Sequence, residues 1–410
     1  MEGPTRLTRA RSVGTYRDVA AVIGLHGLYI HIPFCPQICP YCAFSSLRGV
    51  DHLHERYVLA LCNELYARGE IYQRNPLQTV FFGGGTPTQI DPSLIGQVLE
   101  TVDQVFGMCS DVEITVEANP GTVDLEKFSH LRSVGCNRLS LGVQSFDNYA
   151  LKKLGRVHSS EEAIRAFSSA REAGFSNVSI DLIFSVPDVP ESAWKNSVDR
   201  AISLQPEHIS AYALTIEEGT LFAKREREGV LVVLTEDDDA MQYDWTRHRL
   251  KDAGFGQYEV SNFAQHGRES RHNLSYWTGL EYLGVGLSAH SYIGGERFWN
   301  ISDIESYLQR VEGNISPEEG RERVDGQTAR RERFWLGLRT SQGVLLTEME
   351  QEILRQNSRM ASLVDAEFLR LEHDRVVLAD SGWCRADGLA VELTDLLEQK
   401  TEGNTQCVLK

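Results

Sequence analysis

From residue 28 onwards, short runs rich in β-branched and aromatic residues alternate with segments whose apolar residues recur at helical spacing. The runs predict six strands, at residues 28–32, 79–83, 113–118, 138–143, 177–184 and 208–214. The segment after Asp91 is a typical predicted helix, because Pro92 stands at its first position and apolar residues then repeat with helical periodicity. Strand–helix units in series predict an α/β fold, in which a parallel sheet with helices outside forms a partial (β/α)6 barrel of the TIM type.

Unusual residues fall at the ends of these predicted strands, where barrels of this type carry their active groups. Three cysteines follow the first strand and a glycine run follows the second; Glu117 ends the third, Gln144 follows the fourth, and Asp181 lies near the exit of the fifth. Apolar residues would be the default at these positions if they only packed a core. The pattern therefore predicts one site at this end of the barrel.

The loop after the first strand contains Cys35, Cys39 and Cys42, spaced C-x3-C-x2-C. Three thiolates on one loop can hold three irons of a [4Fe-4S] cluster, and the fourth iron is then open to a small molecule, since such a cluster ordinarily takes four cysteines. A zinc site is the alternative, but structural zinc uses four ligands, often in C-x2-C pairs, and the sequence has no second pair. With Tyr41 just before the third cysteine, the loop resembles that of the radical S-adenosylmethionine (SAM) superfamily, in which the amino and carboxylate groups of SAM chelate the open iron.

The other strand-end residues each have a plain structural reading as well. The run from Gly83 to Gly85 can be only a tight turn, although glycines also bare backbone N–H and C=O groups to a ligand. Glu117 and Asp181 can be satisfied strand-end carboxylates, but together they suit the hydroxyls and ammonium group of SAM, which need acceptors. Arg156 can be a solvated cation or can pair with the SAM carboxylate.

Four longer strings carry a more specific resemblance. They are Tyr29-Ile-His-Ile-Pro-Phe-Cys35, Phe82-Gly-Gly-Gly-Thr-Pro-Thr88, Arg138-Leu-Ser-Leu-Gly-Val-Gln144-Ser-Phe and Gln257-Tyr-Glu-Val-Ser-Asn-Phe263. They are similar to the coproporphyrinogen-oxidase-like branch of the radical SAM proteins, and the likeness runs from residue 27 to the C-terminus. This resemblance implies SAM contacts by Tyr29, Tyr41, Gly84, Gly85, Thr86, Glu117, Gln144, Arg156 and Asp181.

This branch contains an enzyme group and a chaperone group. The oxygen-independent coproporphyrinogen III oxidases resemble C-x3-C-x2-C-x-C, whereas this chain has Phe44 at the last position, as in the HemW-type haem chaperones. The string His272-Asn-Leu-Ser-Tyr276-Trp277 is similar to the haem-binding motif of the chaperones. The resemblance implies an imidazole of His272 as an axial iron ligand and flat apolar surface from Tyr276 and Trp277. The alternative is a hydrogen-bonded histidine beside a buried tryptophan.

The favoured function is that of a haem chaperone, which binds haem, a [4Fe-4S] cluster and exchangeable SAM and transfers haem to acceptor proteins. The alternative is an oxygen-independent coproporphyrinogen III oxidase, a radical enzyme that decarboxylates porphyrinogen propionates. A third hypothesis is an inert, zinc-stabilised barrel. The expected partners are haem, acceptor proteins, an electron donor if SAM is cleaved, and a second copy of the chain in a cluster-dependent homodimer. No residue is assigned a catalytic role.

Composition narrows the classes of partner. The 410 residues include 41 Lys and Arg against 58 Asp and Glu, a net charge of −17, which opposes nucleic acid or an anionic membrane as the main partner. No apolar run is long enough to span a bilayer, so a cytoplasmic protein is expected. The scattered cysteines lack framework spacing and predict reduced thiols: Cys62, Cys109, Cys136, Cys384 and Cys407.

The chain is expected to divide into four parts. Residues 1–26 predict a disordered extension that carries arginines but no apolar core of a secretory signal, with organelle import as the weaker alternative. Residues 27–265 predict the barrel, 266–325 the haem-motif segment and a linker, and 326–410 a small helical, winged-helix-like domain that acts as a lid or docking module. After Asp181 the chain has Ser185 where the family has glycine, which predicts a changed loop beside SAM.

Overall fold

A computed structural model describes residues 25–72 and 75–407, with side chains as far as residue 398. The expected disorder of residues 1–26 therefore falls almost wholly outside the described residues, as does the side chain of Cys407. The strands are β1 Gly27–Ile32, β2 Leu77–Gly84, β3 Met108–Ala118, β4 Arg138–Gln144, β5 Val178–Phe184, β6 His208–Ala213, β7 Gly256–Glu259, β8 Asn262–Ala264, β9 Tyr282–Val285, β10 His290–Ile293, β11 Glu296–Asn300, β12 Glu318–Arg323, β13 Val344–Leu345, β14 Leu369–Glu372 and β15 Arg375–Leu378. The α-helices are α1 His54–Tyr72, α2 Pro92–Phe106, α3 Leu125–Ser133, α4 Asn148–Lys153, α5 Ser160–Glu172, α6 Glu191–Ser203, α7 Leu221–Arg227, α8 Glu236–Asp252, α9 Arg271–Trp277, α10 Ile304–Glu312, α11 Gly326–Leu338, α12 Glu348–Arg355, α13 Ser358–Asp365 and α14 Ala386–Cys407.

The six strands expected from the sequence, β1 to β6, are parallel and adjacent in chain order, which confirms the predicted α/β architecture. The sheet also extends beyond them. On one side β9 pairs in parallel with β1, and β10, β11 and β12 continue antiparallel; on the other side β8 and β7 follow β6. The result is an open, twelve-stranded sheet whose parallel part forms the partial barrel.

Helices cover the outside of the parallel strands because each has one apolar face. In α2, the Asp91 side chain caps the helix by accepting the Ser93 N–H at 2.8 Å, and Pro92 takes the first position, as predicted. Ile95 and Val98 of this helix are buried in the main core.

The strand register sets the position of the site. Ile32 of β1 is paired with Gly84 of β2, so the cysteine loop leaves the sheet beside the glycine run. Glu117 of β3 is paired with Ser140 of β4. Because all these strands are parallel, their exits meet at one edge, and the cysteine, glycine and carboxylate residues face a common space.

The C-terminal region has its own hydrophobic core. Helices α11 to α14 and the small sheet β13-β15-β14 pack around Phe334, Leu363 and Leu393. Backbone hydrogen bonds attach this region to the strand β7 hairpin, with the Val260 N–H donating to the Arg339 carbonyl at 2.9 Å. The domain boundaries at residues 27, 266 and 326 stay a prediction.

Ser185, the residue expected to change the loop after β5, adopts a left-handed backbone with φ +59°. A side chain is strained there and a glycine is not. The Ser185 N–H donates to Gln242 Oε1 at 3.2 Å, and Ser185 does not line the cavity at the strand exits.

Candidate functional site

A cavity of about 500 Å³ opens at the exits of β1 to β6; we call it the strand-end cavity. Its wall contains all but one of the residues predicted to hold the cluster and SAM: Cys35, Cys39, Cys42, Tyr41, Gly84, Gly85, Thr86, Glu117, Gln144, Arg156 and Asp181. The exception is Tyr29, whose ring lies behind the wall, 6.2 Å from the ring of Phe81, which does line the cavity. The structure thus gathers in one place residues that the sequence distributes over five strands.

Backbone hydrogen bonds hold the cysteine loop in place. The Cys35 N–H donates to the Leu47 carbonyl at 2.9 Å, and the Leu47 N–H donates back to Pro33 at 2.7 Å. A tighter turn forms where the Cys42 N–H donates to the Cys39 carbonyl at 3.1 Å. The three thiols therefore project from a short, anchored loop.

Polar groups surround the three sulfur atoms. Arg156 Nη1 donates to Cys39 Sγ at 3.4 Å, and the Thr86 hydroxyl oxygen lies 3.4 Å from Cys35 Sγ. Burial raises the pKa of the Cys35 and Cys42 thiols, whereas a bound iron deprotonates such a thiol.

This donor set fits an iron–sulfur cluster. Within residues 25–72 and 75–398, no group of three or more His, Cys, Asp or Glu side chains is arranged to hold a metal ion. A single zinc requires its ligands to converge on one centre at about 2.0–2.3 Å, whereas a cluster distributes its thiolates over separate irons. The cation of Arg156 beside Cys39 also suits an anionic thiolate.

The glycine run owes its composition first to packing. A Cβ on Gly84 would meet the His31 ring at 2.4 Å, and one on Gly85 would meet the backbone of Pro33 and Phe34 at 2.8 Å. Gly84 also has φ +112°, which side chains rarely adopt. The run can therefore lie against the exit of β1 and present its backbone to the cavity. A role in packing and a role in ligand binding are thus compatible for these glycines.

The two carboxylates of the cavity have different surroundings. Asp181 accepts hydrogen bonds from three hydroxyls, those of Ser140 at 2.7 Å, Ser179 at 2.8 Å and Ser210 at 2.7 Å. Among the described residues, Glu117 accepts a hydrogen bond only from the Gly84 N–H, at 3.2 Å. Burial, and then the charge of Asp181, raise the pKa of Glu117 to about 8. A ligand that donates hydrogen bonds would meet a satisfied acceptor at Asp181 and an unsatisfied one at Glu117.

The remaining predicted SAM contacts surround this pair. Gln144 has φ +65°, an uncommon value for a residue other than glycine, and its position at the end of β4 aims it into the cavity. Arg156 Nη2 donates to the Gly142 carbonyl at 3.0 Å, which fixes the guanidinium beside the cysteine loop. The Tyr41 ring packs 6.2 Å from that of Phe222.

Sequence reasoning missed three kinds of residue in this wall. Ser140 and Ser210 line it and orient Asp181, yet serines in strands carry no distinctive signal. Asn273 reaches it from α9, far along the chain. Arg138 lines it with 1% exposure, and its Nε has no hydrogen-bond partner among the described residues. A cation at the start of a predicted buried strand was a signal that could have been used.

Phe44, the residue in the fourth-cysteine position, lies at the cavity rim and is 72% exposed. Its ring offers no ligand to iron. The exposed side chain leaves the mouth of the cavity apolar on this side.

The haem-motif string forms helix α9, which Glu113 of β3 anchors. The carboxylate of Glu113 accepts the backbone N–H groups of Arg271 at 3.1 Å and His272 at 3.0 Å, at the positive end of the helix. His272 is buried, and both its ring nitrogens are hydrogen-bonded: Nδ1 to the Thr79 hydroxyl at 2.8 Å and Nε2 to the Tyr276 hydroxyl at 2.8 Å. Burial is the main cause that lowers the pKa of His272 to about 3, so the ring is neutral near pH 7.

Tyr276 and Trp277 line a second cavity of about 620 Å³, which we call the α9 cavity. It lies between α9, the strands β9 to β11, α11, β13 and the hairpin of β14 and β15, which we call the C-terminal hairpin. His272 lines neither cavity; its ring stacks on Phe81 with centroids 5.1 Å apart. The structure thus separates the three predicted haem contacts, with two on a cavity wall and one behind it.

Sequence comparison places the chain among known proteins. The Radical SAM superfamily profile matches residues 29–201. The heme chaperone HemW of Bacillus subtilis is 37% identical over 317 residues, which cover 77% of this chain and 84% of that protein. The heme chaperone HemW of Mycobacterium tuberculosis is 36% identical over 368 residues, which cover 88% of this chain and 93% of that protein.

Among solved structures, the chain is similar to coproporphyrinogen III oxidase (HemN) from Escherichia coli, a radical SAM enzyme. The TM-score is 0.75 at 22% identity, over 93% of this chain and 92% of that chain. At this identity the likeness shows the shared fold alone.

Proposed function

The chain belongs to the HemW family of radical SAM haem chaperones, and we propose that it binds haem and transfers it to acceptor proteins. The observation that carries the proposal is the position of α9, whose Tyr276 and Trp277 line a cavity of ligand size. The names of the similar proteins support it, and so does Phe44, since the residue adds no fourth cysteine to the loop.

Membership of the radical SAM family implies a [4Fe-4S] cluster and SAM. We assign the cluster to Cys35, Cys39 and Cys42, which fit it as a donor set. When bound, the cluster supplies an iron with an open position for the SAM amino and carboxylate groups. The Arg156 guanidinium then counters negative charge beside Cys39.

The other SAM contacts follow from the chemistry of the wall. Glu117 is the acceptor with unused capacity for an ammonium or hydroxyl donor, whereas Asp181 is held in place by its three serines. Gly84 and Gly85 admit the ligand to the backbone. Tyr29, Tyr41, Thr86 and Gln144 complete the proposed set.

The proposed haem contacts are His272, Tyr276 and Trp277, and the structure sets a condition on the first. For His272 to ligate iron, its Nε2 must exchange the Tyr276 hydroxyl for the metal. The ring is already neutral, as ligation requires.

We also propose an acceptor protein, an electron donor if SAM is cleaved, and a cluster-dependent homodimer as partners. Among the described residues, no helix is long and apolar enough to cross a membrane. The second candidate function is that of a coproporphyrinogen III oxidase. The strand-end cavity supports it, because the predicted cluster and SAM residues that such an enzyme would use line the same cavity.

The test is a set of three proteins, the parent, Cys39→Ala and His272→Ala, each reconstituted anaerobically with iron and sulfide. We expect the parent to bind haem with a sharp Soret band and to form no decarboxylated product from coproporphyrinogen III with SAM and reductant. Cys39→Ala should lose the broad visible absorption of the cluster and keep the Soret band, whereas His272→Ala should keep the cluster and lose or alter the Soret band. Cys62→Ala, at a buried thiol away from the loop, is the control for the cluster.

Two results would contradict the proposal. Catalytic formation of protoporphyrinogen, with a parental Soret band in His272→Ala, would support the enzyme instead. Retention of the visible cluster band in Cys39→Ala would remove the cluster assignment.

A further inference from the structure

The α9 cavity has a wall of aromatic rings and arginines. The rings belong to Tyr276, Trp277, Tyr282 and Tyr292, and the arginines are Arg297, Arg333 and Arg375. Glu332 is its one lining residue with a side-chain carboxylate. In a chain of net charge −17, this concentration of positive charge needs an explanation.

The three arginines differ in how their charges are compensated. Arg297 pairs with Glu332 at 2.5 Å and with Glu322 at 3.3 Å. Arg333 pairs with Glu350 at 2.5 Å. These two guanidinium groups have carboxylate partners within the chain.

Arg375 has no such partner. Its Nη1 donates to the Gln342 carbonyl at 3.3 Å, and no carboxylate of the described residues forms an ion pair with it. The residue is half-buried at the start of β15, on the C-terminal hairpin. A guanidinium on a cavity wall without a carboxylate in ion-pair distance can hold a ligand carboxylate with two parallel hydrogen bonds.

We propose that the α9 cavity binds a flat tetrapyrrole dicarboxylate, with the macrocycle against Trp277 and Tyr276 and one carboxylate on Arg375. The inference rests on the proposed function, which already places haem against Tyr276 and Trp277, and adds to it a carboxylate anchor on the C-terminal region. The cavity volume of about 620 Å³ suits a ligand of this size. Aromatic walls favour a flat apolar ring, and the unpaired cation favours the acidic edge of the same molecule.

The placement gives the C-terminal region a role. Trp277 stands on α9, whereas Arg375 stands on the hairpin of the second hydrophobic core. A ligand that contacts both must bridge the two cores. The C-terminal region is then one wall of the binding site, and the site is incomplete without it.

The test compares two ligands on the full chain, haem and haem dimethyl ester, by titration of the Soret band. The variants are Arg375→Gln and the control Arg370→Gln, an exposed arginine on the neighbouring strand β14 that does not line the cavity. Parent and control should bind haem roughly ten- to hundredfold more tightly than the ester, the usual range for a hydrogen bond to a charged group. Arg375→Gln should lose this preference while it binds the ester like the parent. Far-ultraviolet circular dichroism checks that each variant is folded.

The outcomes separate this inference from the proposed function. If the parent binds haem but Arg375→Gln keeps the full preference for haem over the ester, the anchor is wrong and the chaperone proposal stands. An equal weakening of both ligands in Arg375→Gln would mean a structural role for the residue and would also overturn the inference. If the folded parent binds neither ligand, the proposed function fails and this inference fails with it.

Discussion

At the scale of single residues, the two acids of the strand-end cavity differ because of their immediate neighbours. Three serine hydroxyls donate to Asp181, whereas Glu117 has one backbone N–H and the repulsion of Asp181. With its pKa raised to about 8, Glu117 is mostly protonated near pH 7 in the free protein. Its folded-state pKa lies above its unfolded value, so the protonated form is favoured by folding, and the associated stability falls as the pH rises from about 4.5 towards 8.

A ligand that donates hydrogen bonds to Glu117 favours the carboxylate and should expel this proton. We expect SAM binding at pH 7 to release more protons in the parent than in Glu117→Gln, by up to one per site. Isothermal titration in buffers of different ionisation enthalpy measures the number, because the observed heat changes in proportion to the protons taken up by the buffer. Subtracting the number of protons released with Glu117→Gln from the number released with the parent removes the contribution of protons that SAM itself loses. Equal release by both proteins would show that Glu117 does not change its ionisation on binding.

At the scale of secondary-structure elements, the strands and helices that could be predicted are those whose own residues indicate whether they are buried and where they begin and end. Strands such as β1 are mostly apolar because both faces are largely buried, and α2 carries its own capping signals. The strand β12 could not be recognised in this way, since its sequence Glu318 to Arg323 is all polar but for one glycine and it pairs only at the sheet edge.

The same distinction holds for the two cavities. The strand-end cavity could be predicted because cysteines, glycines and acids stand at successive strand exits. Ser140 acquires its role only from a neighbour on the next strand, Asp181, which no local pattern indicates. The α9 cavity forms where α9 meets α11 and β15, elements far apart in sequence. The residues next to Arg375 in the sequence therefore gave no indication that it lines a cavity.

One buried carboxylate joins α1, β11, α10 and the residue that follows β9. Glu64 of α1 accepts hydrogen bonds from Arg68 of the same helix, Asn300 of β11 at 2.7 Å, Tyr307 of α10 at 2.8 Å and the Gly286 N–H at 3.0 Å. It is almost completely buried, as is Arg68. This carboxylate thus connects the added strands of the sheet to the first barrel helix.

We expect Glu64→Ala to lower the free energy of unfolding by about 3–5 kcal/mol, because it removes one of the two carboxylates that pair with the buried Arg68 and takes away the acceptor of several buried donors. Urea unfolding followed by circular dichroism measures the change. Glu70→Ala, at an exposed position on the same helix, should change stability by no more than about 0.5 kcal/mol. A loss in Glu64→Ala no larger than in this control would mean that this carboxylate does not hold these elements together.

At the scale of the whole molecule, two hydrophobic cores meet near α8 and β7. Arg247 of α8 pairs with Asp380 at 2.9 Å, and the Ser341 N–H donates to the Tyr258 carbonyl at 2.9 Å. These contacts position the hairpin that carries Arg375 opposite α9. The proposed haem site therefore depends on the docking of the two cores, while the strand-end cavity is built from the barrel and α9.

Helix α9 is a partition common to both cavities. It has seven residues and is about 10 Å long, with Asn273 on the strand-end cavity and Tyr276 and Trp277 on the other. We expect two ligands that share so thin a wall to be energetically linked, in which case thermodynamic reciprocity requires each to alter the affinity of the other by the same factor. We expect a factor on the order of fivefold or more, measured as the change in haem affinity with saturating SAM and in SAM affinity with saturating haem.

The linkage should shrink in Asn273→Ala and persist in Asn119→Ala, which alters the same cavity away from α9. If the parent binds haem with the same affinity with and without SAM, α9 does not couple the two sites. With such linkage, the supply of SAM would set how readily this protein takes up and gives up haem, even if no SAM were ever consumed.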